Sequence, residues 1–129
     1  MIGYVVLGTN DLPRAAAFYD ALLAEMDVKR QMDFGDRGLA WAAGMEDPML
    51  LVMTPHDGNE ATVGNGVMVG IAAASTDVVD RVHAKAIELG GADEGAPGFR
   101  DIGGEGFYAA YFRDLDGNKL DIWCYAAEH

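Results

Sequence analysis

Tyr111-Phe112-Arg113-Asp114-Leu115-Asp116-Gly117-Asn118-Lys119-Leu120-Asp121-Ile122-Trp123 is the stretch that decides how this chain is read. Aromatic and apolar residues lead into an Asp-Gly pair and an alternating run leaves it, the pattern of two antiparallel strands joined by a tight turn. Alternation puts Lys119, Asp121 and Trp123 on one face of the outgoing strand, and Leu120, Ile122 and Cys124 on the other. If the apolar face meets helices, the polar face lines a cleft and presents one carboxylate, Asp121. Asp114, Asp116 and Asn118 also resemble the start of a calcium loop. The position that needs glycine holds Lys119 and the last ligand position holds Tyr125, so a hairpin turn is the reading.

Upstream, the same order of elements occurs twice. Residues 2–8 are β-branched and apolar, and Thr9-Asn10-Asp11-Leu12-Pro13 supplies capping side chains and an early helical proline. From Pro13 to about Met26 an apolar stripe of Ala15, Phe18, Leu22 and Met26 predicts a helix. Three short extended runs follow, near Val28 to Phe34, Leu39 to Ala43 and Met49 to Thr54, so the first half reads βαβββ. After a turn-rich connector, Val67 to Ala73 is again a strand, Ser75-Thr76-Asp77 caps, and Val79, Val82, Ala86 and Leu89 form a second stripe ending at Gly90-Gly91. An irregular stretch reaches Gly106, and the hairpin closes the chain. The repeat, of about 64 to 70 residues, superposes Ala40-Trp41 on Ala110-Tyr111 and makes Leu51 the counterpart of Asp121.

The fold class is therefore α+β: two βαβββ modules forming a curled mixed sheet, helices on the outer face and a central cleft on the other. The organisation is one domain over 1–129, with module one at 1–54, a connector at 55–65 and module two at 66–129. Nine Lys and Arg stand against 21 Asp and Glu, and the formal charge of -12 opposes nucleic acid and anionic lipid. A single cysteine, Cys124, allows neither an intramolecular disulfide nor a zinc cluster, and suits the cytoplasm. The apolar start lacks the marks of a signal peptide and no run is long enough to span a membrane.

With these elements in place the chain resembles the vicinal oxygen chelate superfamily, the glyoxalase, bleomycin-resistance and extradiol-dioxygenase proteins. The resemblance rests on Asn10 to Leu12 and Ala17 to Tyr19 after the first strand, on Gly90-Gly91, and on Phe112 to Asn118. It implies paired βαβββ modules, commonly as a homodimer, and in many enzymes a metal held by four strands. Those four positions correspond here to Tyr4, Leu51, Met68 and Asp121. Only Asp121 is a hard anionic donor, and a phenol, an aliphatic chain and a thioether do not replace imidazoles and carboxylates around zinc, nickel or iron. The resemblance therefore implies no metal ligand set and no cofactor in this chain.

The residues expected to line the cleft are Tyr4, Trp41, Met53, Met68, Tyr111, Asp121 and Trp123. Methionine and aromatic walls with one acid suit an apolar or cationic organic molecule. Asp121 has three readings: a buried acid with a raised pKa, a cation anchor, or the structural partner of Lys119 or Arg113. His83 reads as a surface histidine, Cys124 as a small buried hydrophobe, and Gly103-Gly104-Glu105-Gly106 as a flexible loop without the Lys and Ser/Thr of a P-loop. Arg100 reads as solvent-exposed, with the alternative of reaching an anionic group. His56 in the connector stays open and His129 is assigned no role. The functional expectation is a glyoxalase/bleomycin-resistance-like protein binding a small organic ligand in the cleft with the usual metal site largely lost. The alternative is a diverged lyase or isomerase of lactoylglutathione-lyase type in which Asp121 is the acid or base.

Overall fold

The computed structural model describes residues 1–127; His129 lies outside them. The chain runs β1 (Tyr4–Gly8), α1 (Leu12–Ala24), β2 (Lys29–Asp33), β3 (Gly38–Ala42) and β4 (Met49–Met53), then β5 (Val69–Ala72), α2 (Thr76–Glu88), β6 (Ala92–Phe99), β7 (Phe107–Arg113) and β8 (Lys119–Tyr125). Each half is βαβββ. The strands form two four-stranded mixed sheets, ordered β1-β4-β3-β2 and β5-β8-β7-β6, with β1 parallel to β4 and β5 parallel to β8. The expected α+β architecture of two βαβββ modules is present, each module contributing one mixed sheet, and the outer edges of β1 and β5 are not hydrogen-bonded to one another.

Each helix begins where the capping residues place it. The Asp11 side chain accepts from the Arg14 amide and Ser75 from the Val78 amide, each satisfying a first-turn N–H that has no helical partner. The apolar stripe of α1 delivers Phe18, Tyr19 and Leu22, and that of α2 delivers Val79, Val82 and Ala86, all essentially sealed from solvent. Burial of each larger side chain contributes roughly 1.5–3 kcal/mol. The two helices pack on each other and share one apolar cluster with Leu39, Trp41 and Val52 of the first sheet and Phe112, Leu120 and Ile122 of the second. Each sheet therefore has a helix-covered face and an open face.

The turn between β7 and β8 ties the halves together. Gly117 adopts φ +88°, and Asp114 Oδ1 accepts the amides of Asp116 and Asn118. Asp114 Oδ2 takes the Tyr19 hydroxyl of α1 at 2.6 Å, while the Asn118 side chain donates to the Gly8 carbonyl at the end of β1. The carboxylates that resemble a calcium loop are thus engaged in structural bonds, Asp116 facing Arg14. Burial, then the Asp114 charge, pushes the Tyr19 phenol well above its usual range, so it serves as a permanent donor.

Three expectations are corrected here. The stretch read as irregular contains β6, whose Ala-Asp-Glu-Gly-Ala-Pro-Gly-Phe sequence holds no strand pattern and pairs with β7 through two register shifts. His83 is buried, with Nε2 3.1 Å from Asp93 Oδ1, because β6 walls the side of α2 on which it stands. Trp41 is on the helix-covered face, only 1% exposed, stacked 5.6 Å from Tyr19 and donating its indole N–H to Asp20. The register explains the last case. Ala40 lies opposite Leu51 as Tyr111 lies opposite Asp121, so the counterpart of Trp41 is Phe112, and both are core residues. Aligning Trp41 with Tyr111 is a one-residue slip, and a one-residue slip exchanges the faces of a strand.

Candidate functional site

On the open face of the second sheet, β8 carries Lys119, Asp121 and Trp123 and β7 carries Ala109 and Tyr111. Asp121 pairs with Tyr111 on one side and with Gly70 of β5 on the other. Gly70 is what lets the acid lie down on the sheet: a Cβ there would stand 2.7 Å from Asp121 Oδ1 and 3.2 Å from the Trp123 indole nitrogen. Asp121 is 3% exposed, and its Oδ1 is a buried polar atom without a hydrogen-bond partner among the described residues. Burial pushes the carboxyl up to about 6, against the opposing effects of its own backbone amide and of Lys119.

Neither proposed structural partner claims it. Arg113 is bonded to Glu94 and to the Gly117 carbonyl. Lys119 instead stands over the Tyr111 ring, 5.8 Å from its centroid, where the Arg100 guanidinium also lies at 5.4 Å. Beyond Asp121, Trp123 joins Phe107 and Tyr125 in an aromatic cluster with centroids 5.6 to 5.9 Å apart. One face thus brings together a desolvated acid, two cations over a phenol ring, and an aromatic wall. Chemically, a carboxyl near pH 6 donates a hydrogen bond below that pH and accepts one, or a proton, above it.

The other expected lining residues do not converge on this point. Tyr4 and Met68 stand half-exposed on the walls of a groove of about 620 Å3 between the free edges of β1 and β5, and Gly70 forms part of its wall. Trp41 lines the inner end of that groove although only 1% of it is exposed. Met53 lines a separate cavity of about 380 Å3 with Val6, Arg37 and His56, roofed by the connector. The connector is fixed there because Asn10 both donates to and accepts from the Ala61 backbone. Tyr111, Asp121 and Trp123 share one patch, while Tyr4, Trp41 and Met68 share the groove. Phe107 completes it and went unnoticed in the sequence, where nothing distinguishes it from a core aromatic. Cys124 is buried on the helix-covered face, and burial pushes its thiol up, away from nucleophilic use.

The four positions that hold metal in related folds do not fit one here. Leu51 is the counterpart of Asp121, paired with Val6 as Asp121 pairs with Gly70, so the donor opposite the acid is aliphatic. Tyr4 and Met68 add a phenol and a thioether, and no group of three His, Cys, Asp or Glu that could hold a metal ion occurs among the described residues. One carboxyl with these neighbours does not offset the dehydration of a divalent ion. Among the described residues no helix is long and apolar enough to cross a membrane.

Comparison with known proteins places this geometry. The family model of the Glyoxalase/Bleomycin resistance protein/Dioxygenase superfamily matches residues 1–122. A glyoxalase/bleomycin resistance protein from Albidiferax ferrireducens T118 is 36% identical, with 95% of this chain and 97% of that chain covered and a TM-score of 0.84. Lactoylglutathione lyase from Agrobacterium tumefaciens, 20% identical over 95% of this chain and 92% of that chain, has the same fold with a TM-score of 0.67. No curated protein matches the chain.

Proposed function

Since the chain belongs to the Glyoxalase/Bleomycin resistance protein/Dioxygenase superfamily, we propose that it binds a small organic molecule on the open face around Asp121 without a metal ion. The observation that carries this reading is the buried Asp121 Oδ1, which has no hydrogen-bond partner among the described residues. A buried carboxyl oxygen left without a partner costs roughly 1–3 kcal/mol, and a ligand that reorganises this face relieves that cost. The aromatic cluster of Phe107, Trp123 and Tyr125 supplies an apolar wall next to it. A second copy of the chain completes the cleft in this reading, and the protein works in the cytoplasm.

The metal content of the purified protein tests the proposal. Zinc, nickel and iron are expected far below one per chain, and chelators are expected to leave the melting temperature unchanged. Near-stoichiometric metal released only by chelators contradicts it.

One observation supports a second reading. The Asp121 carboxyl sits near 6, where a general acid or base is effective at neutral pH. In that reading the protein is a lyase or isomerase that moves a proton through Asp121. Asp121→Asn separates the two, since it abolishes turnover while ligand binding survives if the residue is catalytic.

A further inference from the structure

We infer that the ligand of the Asp121 face is a small organic carboxylate with an aromatic or apolar body, held by Arg100 and Lys119 above the Tyr111 ring. The inference rests on the metal-free binding reading and names its ligand class. It differs from the expectation of an apolar or cationic ligand, which was drawn from the aromatic, methionine and acidic residues alone.

The argument begins with which cations are already engaged. Arg14, Arg30, Arg81, Lys85 and Arg113 each pair with an acid. Arg100 and Lys119, like Lys29 and Arg37, pair with no acid among the described residues, but Arg100 and Lys119 are the two that meet at one side chain. Both nevertheless converge on one ring, beside an acid that neither touches as an ion pair. Convergence on one ring of two cations that form no ion pair among the described residues is what an anion site requires.

The backbone makes room for this arrangement. β6 passes beside β7 with glycine at positions 95 and 98, and a Cβ on Gly98 would stand 2.9 Å from a terminal nitrogen of Arg100, one on Gly95 3.4 Å from the other. The Arg100 side chain therefore lies along the strand rather than out in solvent, donating to the Ala96 carbonyl. Its remaining N–H groups are free to bond a carboxylate, for which the planar guanidinium is suited. Phe107 and Trp123, two strands' width of aromatic surface, meet the ligand's body.

Benzoate, benzamide and benzylamine are isosteric probes that differ in charge. The Trp123 indole resonance in a 1H–15N spectrum reports the site, and the Trp41 resonance, held by Asp20, reports folding. Benzoate is expected to shift Trp123 saturably and leave Trp41 unmoved. Arg100→Gln and Lys119→Gln each weaken benzoate at least about tenfold, and Arg100→Lys recovers part of the loss. If benzamide or benzylamine shifts Trp123 and benzoate does not, the carboxylate assignment falls while the small-molecule reading stands. If none of the three moves Trp123, both fall.

Discussion

Asp121 Oδ1 lies 2.7 Å from the point where a side chain on Gly70 would begin. The absence of a Cβ at one strand position thus determines how deeply the neighbouring strand's acid is set into the sheet. In the first half the same ladder position pairs Val6 with Leu51, a side chain against a side chain, and no acid is buried there. The site belongs to one module because the pairing differs between the two.

Gly70→Ala is therefore expected to displace both Asp121 and Trp123. The overpacking costs about 1–3 kcal/mol, softened if the carboxyl rotates outward. Urea denaturation reads the loss, and a shifted Trp123 indole resonance with an unchanged Trp41 resonance locates it.

Asp121→Asn is expected to change stability in a pH-dependent way. Burial raises the folded-state pKa to about 6, so the folded protein holds this proton more tightly than the unfolded chain. The group's contribution is present in full below about pH 4 and is lost as pH rises through 6. The variant therefore matches the parent near pH 4 and exceeds it by roughly 2–3 kcal/mol at pH 8. Denaturation midpoints across that range check the sign as well as the size.

Trp41→Phe tests the corrected placement of that residue. It opens a gap against Tyr19 and deprives the Asp20 carboxylate of its indole donor, costing about 1–3 kcal/mol in urea. Because the ring faces the helices, benzoate affinity stays within roughly twofold. A large loss of affinity with unchanged stability would return Trp41 to the cleft.

Trp41 also marks where sequence reasoning stopped. The capped helices, the Asp-Gly turn and the alternation in β8 are local signals, and each was legible: Asp11, Ser75, Gly117 and the two faces of Lys119 to Trp123 stand where the pattern puts them. Register between modules is not local. It depends on how β3 and β7 slide against their neighbours, and Ala-Trp resembles Ala-Tyr well enough to hide a one-residue offset. β6 was illegible for a different reason, since its glycines and proline suppress every strand signal while opening space for Arg100. With that strand unseen, the buried side of His83 and the position of Arg100 could not be read. Arg100, singled out only as a possible contact, becomes a central residue once β6 lies beside β7.

Tyr19→Phe probes the link between the halves. Removing the hydroxyl leaves Asp114 Oδ2 with the Asn118 side chain as its remaining bond and costs roughly 1–3 kcal/mol. Asp114→Ala costs more, because it also deletes the acceptor for the Asp116 and Asn118 amides and frees the turn. Thermal melts of the two variants should rank in that order, and equal losses would show that the turn does not depend on the carboxylate.

Titration of the Asp121 side-chain carboxyl by 13C NMR, with no metal added, tests the central claim most directly. A lone, desolvated acid gives an apparent pKa near 6, unchanged by a chelator and moved by benzoate. A value near 4 would show a solvated or ion-paired carboxylate, and a resonance that responds to chelator would show a metal ligand; either result contradicts the account.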